Sequence, residues 1–223
     1  MKNNAFIKEI FSSIQGEGPY IGYEQLFIRF SKCNLNCQYC DTDFKTDLKE
    51  YNANELIEEV KKHTNIHSIS LTGGEPLLDI NFLKDFLPLT KKTIYLETNG
   101  TLYKNLKEII DLINIISMDI KLDSTSKNGD LFSAHEKFIK IATENKKEIF
   151  VKIVFDENIT EDEISKCTTL AKKYNIQIIL QPKMDGDALN ISSQTIDEIF
   201  SKFITQYENV RLIPQVHKFL NVR

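Results

Sequence analysis

The chain has 223 residues, of which 41% are hydrophobic and 27% charged, with four Cys and a formal net charge of −4. That is enough apolar material for a substantial core, and it excludes collagen-like, coiled-coil and mainly disordered chains. The mild acidity argues against a general polyanion binder, so no nucleic-acid partner is expected. No apolar run nears the roughly 18 residues of a membrane span, and residues 1–9 carry no long apolar segment. A cytoplasmic protein without a membrane partner is therefore expected.

Short apolar runs alternate with amphipathic stretches. In chain order, strands are expected over 6–11 and 25–30, separated by a Gly-rich segment from Gly16 to Gly22. A helix follows over 54–63, with Leu56, Ile57 and Val60 on one side. Strands over 66–71 and 93–97 precede a helix over 102–113. Next come a strand over 115–120, a helix over 131–145 and a strand over 149–155. A helix over 161–174 is announced by Thr160 and the acidic turn Glu161-Asp162-Glu163. A strand over 176–180, a helix over 192–207 begun by Ser192 or Ser193, and a strand over 210–213 complete the pattern. Several strands read as continuous apolar runs, as strands buried on both faces of a parallel sheet do. The alternation is the α/β signature. No repeat, linker or like-charge block divides it, so one domain over 1–223 is expected. In such folds, closed or open, the working site lies at the C-terminal ends of the strands.

The chemistry gathers after the second strand, in Ser31-Lys-Cys33-Asn-Leu-Asn-Cys37-Gln-Tyr-Cys40-Asp-Thr. Three thiolates on one compact loop can wrap an iron–sulfur cluster corner by corner. Structural zinc, the first alternative, is usually four-coordinate, and no His lies nearby in sequence. Reduced structural Cys is the second alternative. The remaining Cys, Cys167, stands alone in a helical pattern and reads as a buried structural residue. Three ligands point to a [4Fe–4S] cluster with one iron open. One strand later comes Thr72-Gly-Gly-Glu-Pro76, where two Gly allow close backbone approach and Glu75 offers a fixed anion for an ammonium group. On its own that segment would read as a Gly-Gly turn before a Pro-started helix.

The Cys loop followed by Thr72-Gly-Gly-Glu-Pro76 resembles the radical S-adenosylmethionine (SAM) superfamily. The resemblance implies a partial parallel β/α, TIM-like barrel, a [4Fe–4S] cluster held by Cys33, Cys37 and Cys40, and SAM chelated to the open iron. Further segments narrow it: Ile14-Gln15-Gly16-Glu17-Gly, Cys40-Asp41-Thr42, Glu97-Thr-Asn-Gly100, Ser117-Met-Asp119-Ile-Lys121, Gln181-Pro, and Pro214-Gln-Val-His217-Lys. Together they are similar to the ring-contracting branch of the superfamily in 7-deazapurine (queuosine) biosynthesis. Residues 122–126, Leu-Asp-Ser-Thr-Ser, stand where some relatives carry a Pro-Ser-Ser-Gly-like stretch.

Membership of that branch implies a lyase that converts 6-carboxy-5,6,7,8-tetrahydropterin to 7-carboxy-7-deazaguanine with loss of ammonia. It implies SAM contacts from Tyr39, Cys40, Asp41, Gly74, Glu75, Ser117, Asp119, Lys121 and Gln181. Substrate contacts would come from Ile14, Gln15, Gly16, Glu17, Arg29, Thr72 and His217, with Arg29 on the carboxylate. Thr42 would hold Mg²⁺. A flavodoxin-like or other electron donor and a homodimer are implied as partners. Each residue also has a plainer use: Arg29 as a strand-end surface residue, Thr42 as a helix cap, His217 as structural, and Glu97–Gly100 as a helix-entry turn. Two other functions share the Cys loop, a glycyl-radical-enzyme activase and a non-catalytic iron–sulfur or zinc module.

Overall fold

The structure is a computed structural model, and it describes residues 3–40 and 46–222. Strand β1 (Asn4–Ile14) turns through a short 3-10 stretch into β2 (Glu24–Phe30), which feeds the Cys loop. After the loop come β3 (Lys49–Asn52), α1 (Ala53–Lys61), β4 (Ser68–Gly73), α2 (Ile80–Phe86), β5 (Thr93–Thr98), α3 (Tyr103–Ile109) and β6 (Ile115–Asp119). The single-turn α4 (Asp123–Ser126), then α5 (Phe132–Glu144), β7 (Glu148–Phe155), α6 (Glu161–Tyr174) and β8 (Gln177–Pro182) follow. A small hairpin of β9 (Met184–Asp185) and β10 (Ala188–Leu189) precedes α7 (Ser193–Gln206), β11 (Val210–Leu212) and α8 (Val216–Leu220).

Every strand and helix expected from the sequence is present, with ends displaced by a few residues. The stretch over 102–113 is α3 followed by a 3-10 turn, Ile110–Leu112. The caps explain why the helices start where they do. Thr160 accepts from the Glu163 amide while the Glu163 carboxylate accepts from the Thr160 amide, a reciprocal capping box. Ser192 accepts from the Thr195 amide and starts α7. Asn52 and Glu55 form a second box at α1. Helices α2, α4 and α8 are too short to show a periodicity, and β3 is too polar to stand out from a loop.

Seven strands run parallel in the order β11-β8-β7-β6-β5-β4-β2, and β1 then β3 extend the sheet antiparallel beyond β2. Edge strands β11 and β3 do not pair with each other, so the barrel is partial. Side chains alternate across the sheet. Those pointing outward, such as Leu71, Leu96, Ile116, Val151 and Leu180, are buried against the helices with Phe82, Phe138, Cys167 and Phe203. Each such side chain contributes about 1.5–3 kcal/mol on full burial. Cys167 is inside this core, where burial pushes its thiol well up.

The inward-pointing half of each strand differs from the sequence expectation of apolar residues on both faces. Near the N-terminal ends, Tyr95, Ile115, Phe150 and Ile179 close the interior with Tyr20 and Ile21. Toward the C-terminal ends the inward positions turn polar: Thr72, Glu97, Asp119, Lys152 and Gln181. This switch from an apolar floor to a polar mouth sets the position of the site.

Candidate active site

A cavity of about 670 Å³ opens at the C-terminal ends of the parallel strands. That is ample for a ligand of cofactor size. Its wall includes Cys33, Cys37 and Cys40, all free thiols, with Cys40 exposed and the other two half-buried. Burial pushes the Cys33 and Cys37 thiols up, and Lys121 and Asn128 draw Cys37 back down. Among the described residues no three His, Cys, Asp or Glu side chains converge on one ion. A cluster takes each thiolate on a different iron. The donor set of three thiols on one loop facing one cavity fits a cluster with an open corner. The residues also fit SAM: Gln181 is buried on the cavity wall, and its Oε1 has no hydrogen-bond partner among the described residues.

The Gly73-Gly74 pair has a backbone task. Gly73 lies at φ +109°, and a Cβ on Gly74 would overlap the Lys32 carbonyl at the start of the Cys loop. The two segments are stitched by Gly74 N–H to Phe30 O at 3.0 Å and Glu75 N–H to Lys32 O at 2.6 Å. Close approach is thus between two pieces of chain, and it fixes where the thiols sit. Glu75 is drawn off the cavity wall. It is fully buried and accepts from Leu77 N–H, Thr98 Oγ1 and Asn99 N–H. Burial pushes its carboxyl up to about 7 against those hydrogen bonds. Its observed partners are the 3-10 turn Pro76–Asp79 and the end of β5, not a free space for an ammonium group.

The interior carries two connected polar systems. In the first, Glu97 on β5 accepts from Gln15 Nε2 at 2.9 Å, from Ser70 at 3.3 Å and from Thr72 Oγ1 at 2.6 Å. Gln15 also donates to Gln25 Oε1 at 2.9 Å. A carboxylate has about four acceptor sites, so Glu97 keeps roughly one for a cavity ligand. In the second, charges alternate across the mouth. Glu17 pairs with Lys152, Lys152 with Asp119 at 3.5 Å, Asp119 with Lys121 at 2.9 Å, and Lys121 donates to the Tyr39 hydroxyl at 3.0 Å. Gln215 Nε2 donates to Glu17 Oε1 at 2.7 Å. Burial opposes charge on every member, yet the opposite neighbours win. The Glu17 and Asp119 carboxyls are held below the usual range, while the Lys121 and Lys152 ammoniums are held well above theirs.

Of the residues named from sequence, Glu17, Arg29, Cys33, Cys37, Tyr39, Cys40, Thr72, Gly74, Asp119, Lys121 and Gln181 line this one cavity. Arg29 gives its Nε to Glu9 at 2.7 Å, and the two other nitrogens of its guanidinium have no partner among the described residues. Gln15 acts from behind the wall through Glu97. Ser117 faces inward on β6, buried below Asp119. Ile14 ends β1, paired with Glu24 and away from the cavity. Gly16 and His217 also lie off it; a Cβ on Gly16 would overlap the His217 ring, and Val216 N–H donates to Gly16 O. Asp41 and Thr42 lie outside the described residues. Sequence reasoning missed Lys152 and kept Glu97 only as supporting structure. Each is an ionisable residue inside a strand-like apolar run, and that was the available signal.

A family model described as Radical SAM superfamily matches residues 27–177. The 7-carboxy-7-deazaguanine synthase of Geobacter sulfurreducens is 37% identical, the alignment covering 98% of this chain and 98% of that protein. The 7-carboxy-7-deazaguanine synthase of Archaeoglobus fulgidus is 34% identical over 96% of this chain and 97% of its own. The crystal structure of QueE from Escherichia coli shares the fold with a TM-score of 0.61 at 19% identity, covering 96% of this chain and 95% of that one.

Proposed function

The chain belongs to the radical SAM superfamily and, within it, to the 7-carboxy-7-deazaguanine synthases, and on that footing we propose that it converts 6-carboxy-5,6,7,8-tetrahydropterin to 7-carboxy-7-deazaguanine with loss of ammonia. The observation that carries the reading is a single cavity with three thiols on one wall and, on another, a guanidinium whose two terminal nitrogens have no partner among the described residues, beside a hydrogen-bonded carboxylate. When bound, the [4Fe–4S] cluster and SAM supply the hydrogen-abstracting radical chemistry, which the protein positions and shields.

The chain's own residues then have these tasks. Cys33, Cys37 and Cys40 hold the cluster. Gly74 seats the loop, while Tyr39, Asp119, Lys121 and Gln181 offer SAM a mixed wall of donors and acceptors. The two terminal nitrogens of Arg29 take the substrate carboxylate, a fork-on-carboxylate contact that sets its orientation. The spare acceptor of Glu97, held by Gln15 and Thr72, takes an N–H from the flat pterin ring. Lys152 is kept cationic by Glu17 and Asp119 and neutralises the mouth. His217 acts on the substrate side through the Gly16 backbone on which it rests. A Mg²⁺ held in part by Thr42, a homodimer, a flavodoxin-like electron donor and a cytoplasmic location complete the proposal. No helix among the described residues is long and apolar enough to cross a membrane.

An activase or a non-catalytic cluster module leaves the Gln15–Glu97–Thr72 network and the Arg29 fork without a task. The decisive experiment is anaerobic turnover of reconstituted protein with SAM, a chemical reductant and the carboxytetrahydropterin, read by mass spectrometry. A product lighter than the pterin by one ammonia is expected. SAM cleavage with the pterin returned unchanged would overturn the reading.

A further inference from the structure

We propose that Asn128 is a positioning residue that fixes the geometry of the Cys loop and raises the reduction potential of the cluster through a hydrogen bond to Cys37. The proposal rests on the cluster reading above and adds a residue that neither the loop spacing nor the Gly-Gly-Glu segment involves. Asn128 Nδ2 lies 3.2 Å from Cys37 Sγ, and Asn128 Oδ1 accepts from the Asn36 backbone N–H at 3.1 Å. One amide thus holds a thiol and the peptide beside it with its two ends. A third tie, Gln38 N–H to Ser126 O at 3.2 Å, flanks the thiol on its other side.

The segment that presents Asn128 is itself anchored. It is the turn that follows the short α4 (Asp123–Ser126). Leu122, Thr125 and Ser126 are buried. The Ser124 amide donates to Glu163 Oε1 at 2.9 Å, and Thr125 Oγ1 reaches Val154 O at 3.3 Å. Lys127 adopts a left-handed conformation at φ +59°, which ends α4, and the Gly129 amide closes back on Asp123 Oδ1 at 2.7 Å. Asn128 therefore sits on a tight turn pinned to α6 and β7, able to constrain the Cys loop rather than follow it.

A donor to a ligand sulfur favours the state with more negative charge on the cluster, so it raises the potential. Two substitutions separate the two ends of the amide. Asn128→Asp keeps the oxygen that accepts from Asn36 but removes the N–H donor and adds negative charge. Asn128→Leu keeps the bulk and removes both. With reconstituted enzyme, the readouts are iron content, iron loss to a chelator, and the cluster midpoint potential from an anaerobic redox titration followed by electron paramagnetic resonance.

We expect Asn128→Asp to hold iron as the wild type does with a more negative midpoint, and Asn128→Leu to show a more negative midpoint together with faster iron loss. Equal midpoints in loaded wild type and loaded variants would overturn the proposal. Failure of both variants to load, beside a loaded wild type, would make Asn128 a structural support only and overturn the potential-setting role. A wild type that holds no four-iron cluster is a separate result, which would overturn the cluster reading itself.

Discussion

Replacing Lys152 by Met tests whether the charge chain at the cavity mouth is the structural element that the geometry makes it. Met keeps most of the stem volume and deletes the ammonium. Lys152 is buried between Glu17 and Asp119, and it is the main cationic neighbour of Glu17 among the described residues. Breaking a buried pair by removing one partner costs about 3–5 kcal/mol. Asp119 retains Lys121, so the lower end applies, about 3 kcal/mol. For a chain of this length that is a fall in Tm of about 6–12 °C.

The pH dependence carries a sign as well. In the wild type the Glu17 carboxyl is held well below the ordinary value of 4.5, so its contribution is full above pH 4.5 and is lost as pH falls through the folded value. In Lys152→Met burial acts without the cation and pushes the same carboxyl up. The variant should then gain stability, relative to wild type, as pH drops from 8 toward 5.5. Urea unfolding at both pH values, followed by circular dichroism, gives the numbers. Glu17→Gln in the Lys152→Met background should recover part of the loss. A variant within 1 kcal/mol of wild type at pH 8, with a parallel pH dependence, would refute the argument.

Arg29→Ala should raise the KM for the carboxytetrahydropterin about 10- to 100-fold, from a lost charge-assisted hydrogen bond of about 1.5–3 kcal/mol, while SAM binding by calorimetry is unchanged. An unchanged KM would remove Arg29 as the carboxylate anchor. Gly74→Ala should fold yet bind less iron, because its Cβ would displace the Lys32 carbonyl at the root of the Cys loop; full iron loading would show that the loop adapts. His135 is buried beneath the site, with Nε2 at 3.1 Å from Asn99 O, and burial pushes its imidazole down to about 4. An unfolded His takes its proton near 6.5, so the wild type should lose about 3 kcal/mol as pH falls from 6.5 to 4, and His135→Gln should flatten that decline; identical slopes in urea titrations would contradict it.

What could be read from the sequence depended on how local its cause was. The thiol spacing is a property of eight consecutive residues, and it pointed to the cavity wall that Cys33, Cys37 and Cys40 share. The α6 cap at Thr160 was legible for the same reason. The surroundings of Glu75 were only half legible because its partners are split. One, the Leu77 amide, is local and was readable as the first turn of a Pro-started helix. The others, Thr98 and Asn99, arrive from the next strand. Lys152 and Glu97 required knowing which side of the strand faces inward. Asn128 lay further out of reach, since nothing in its neighbourhood marks it and it meets Cys37 across 91 positions of chain. The strands nevertheless held a usable clue. In runs such as Ile149-Phe-Val-Lys152-Ile-Val-Phe155, a lone charge cannot be buried without a partner. In a parallel strand it therefore implies a counter-charge inside the barrel, and here Glu17 and Asp119 provide it at the mouth of the site.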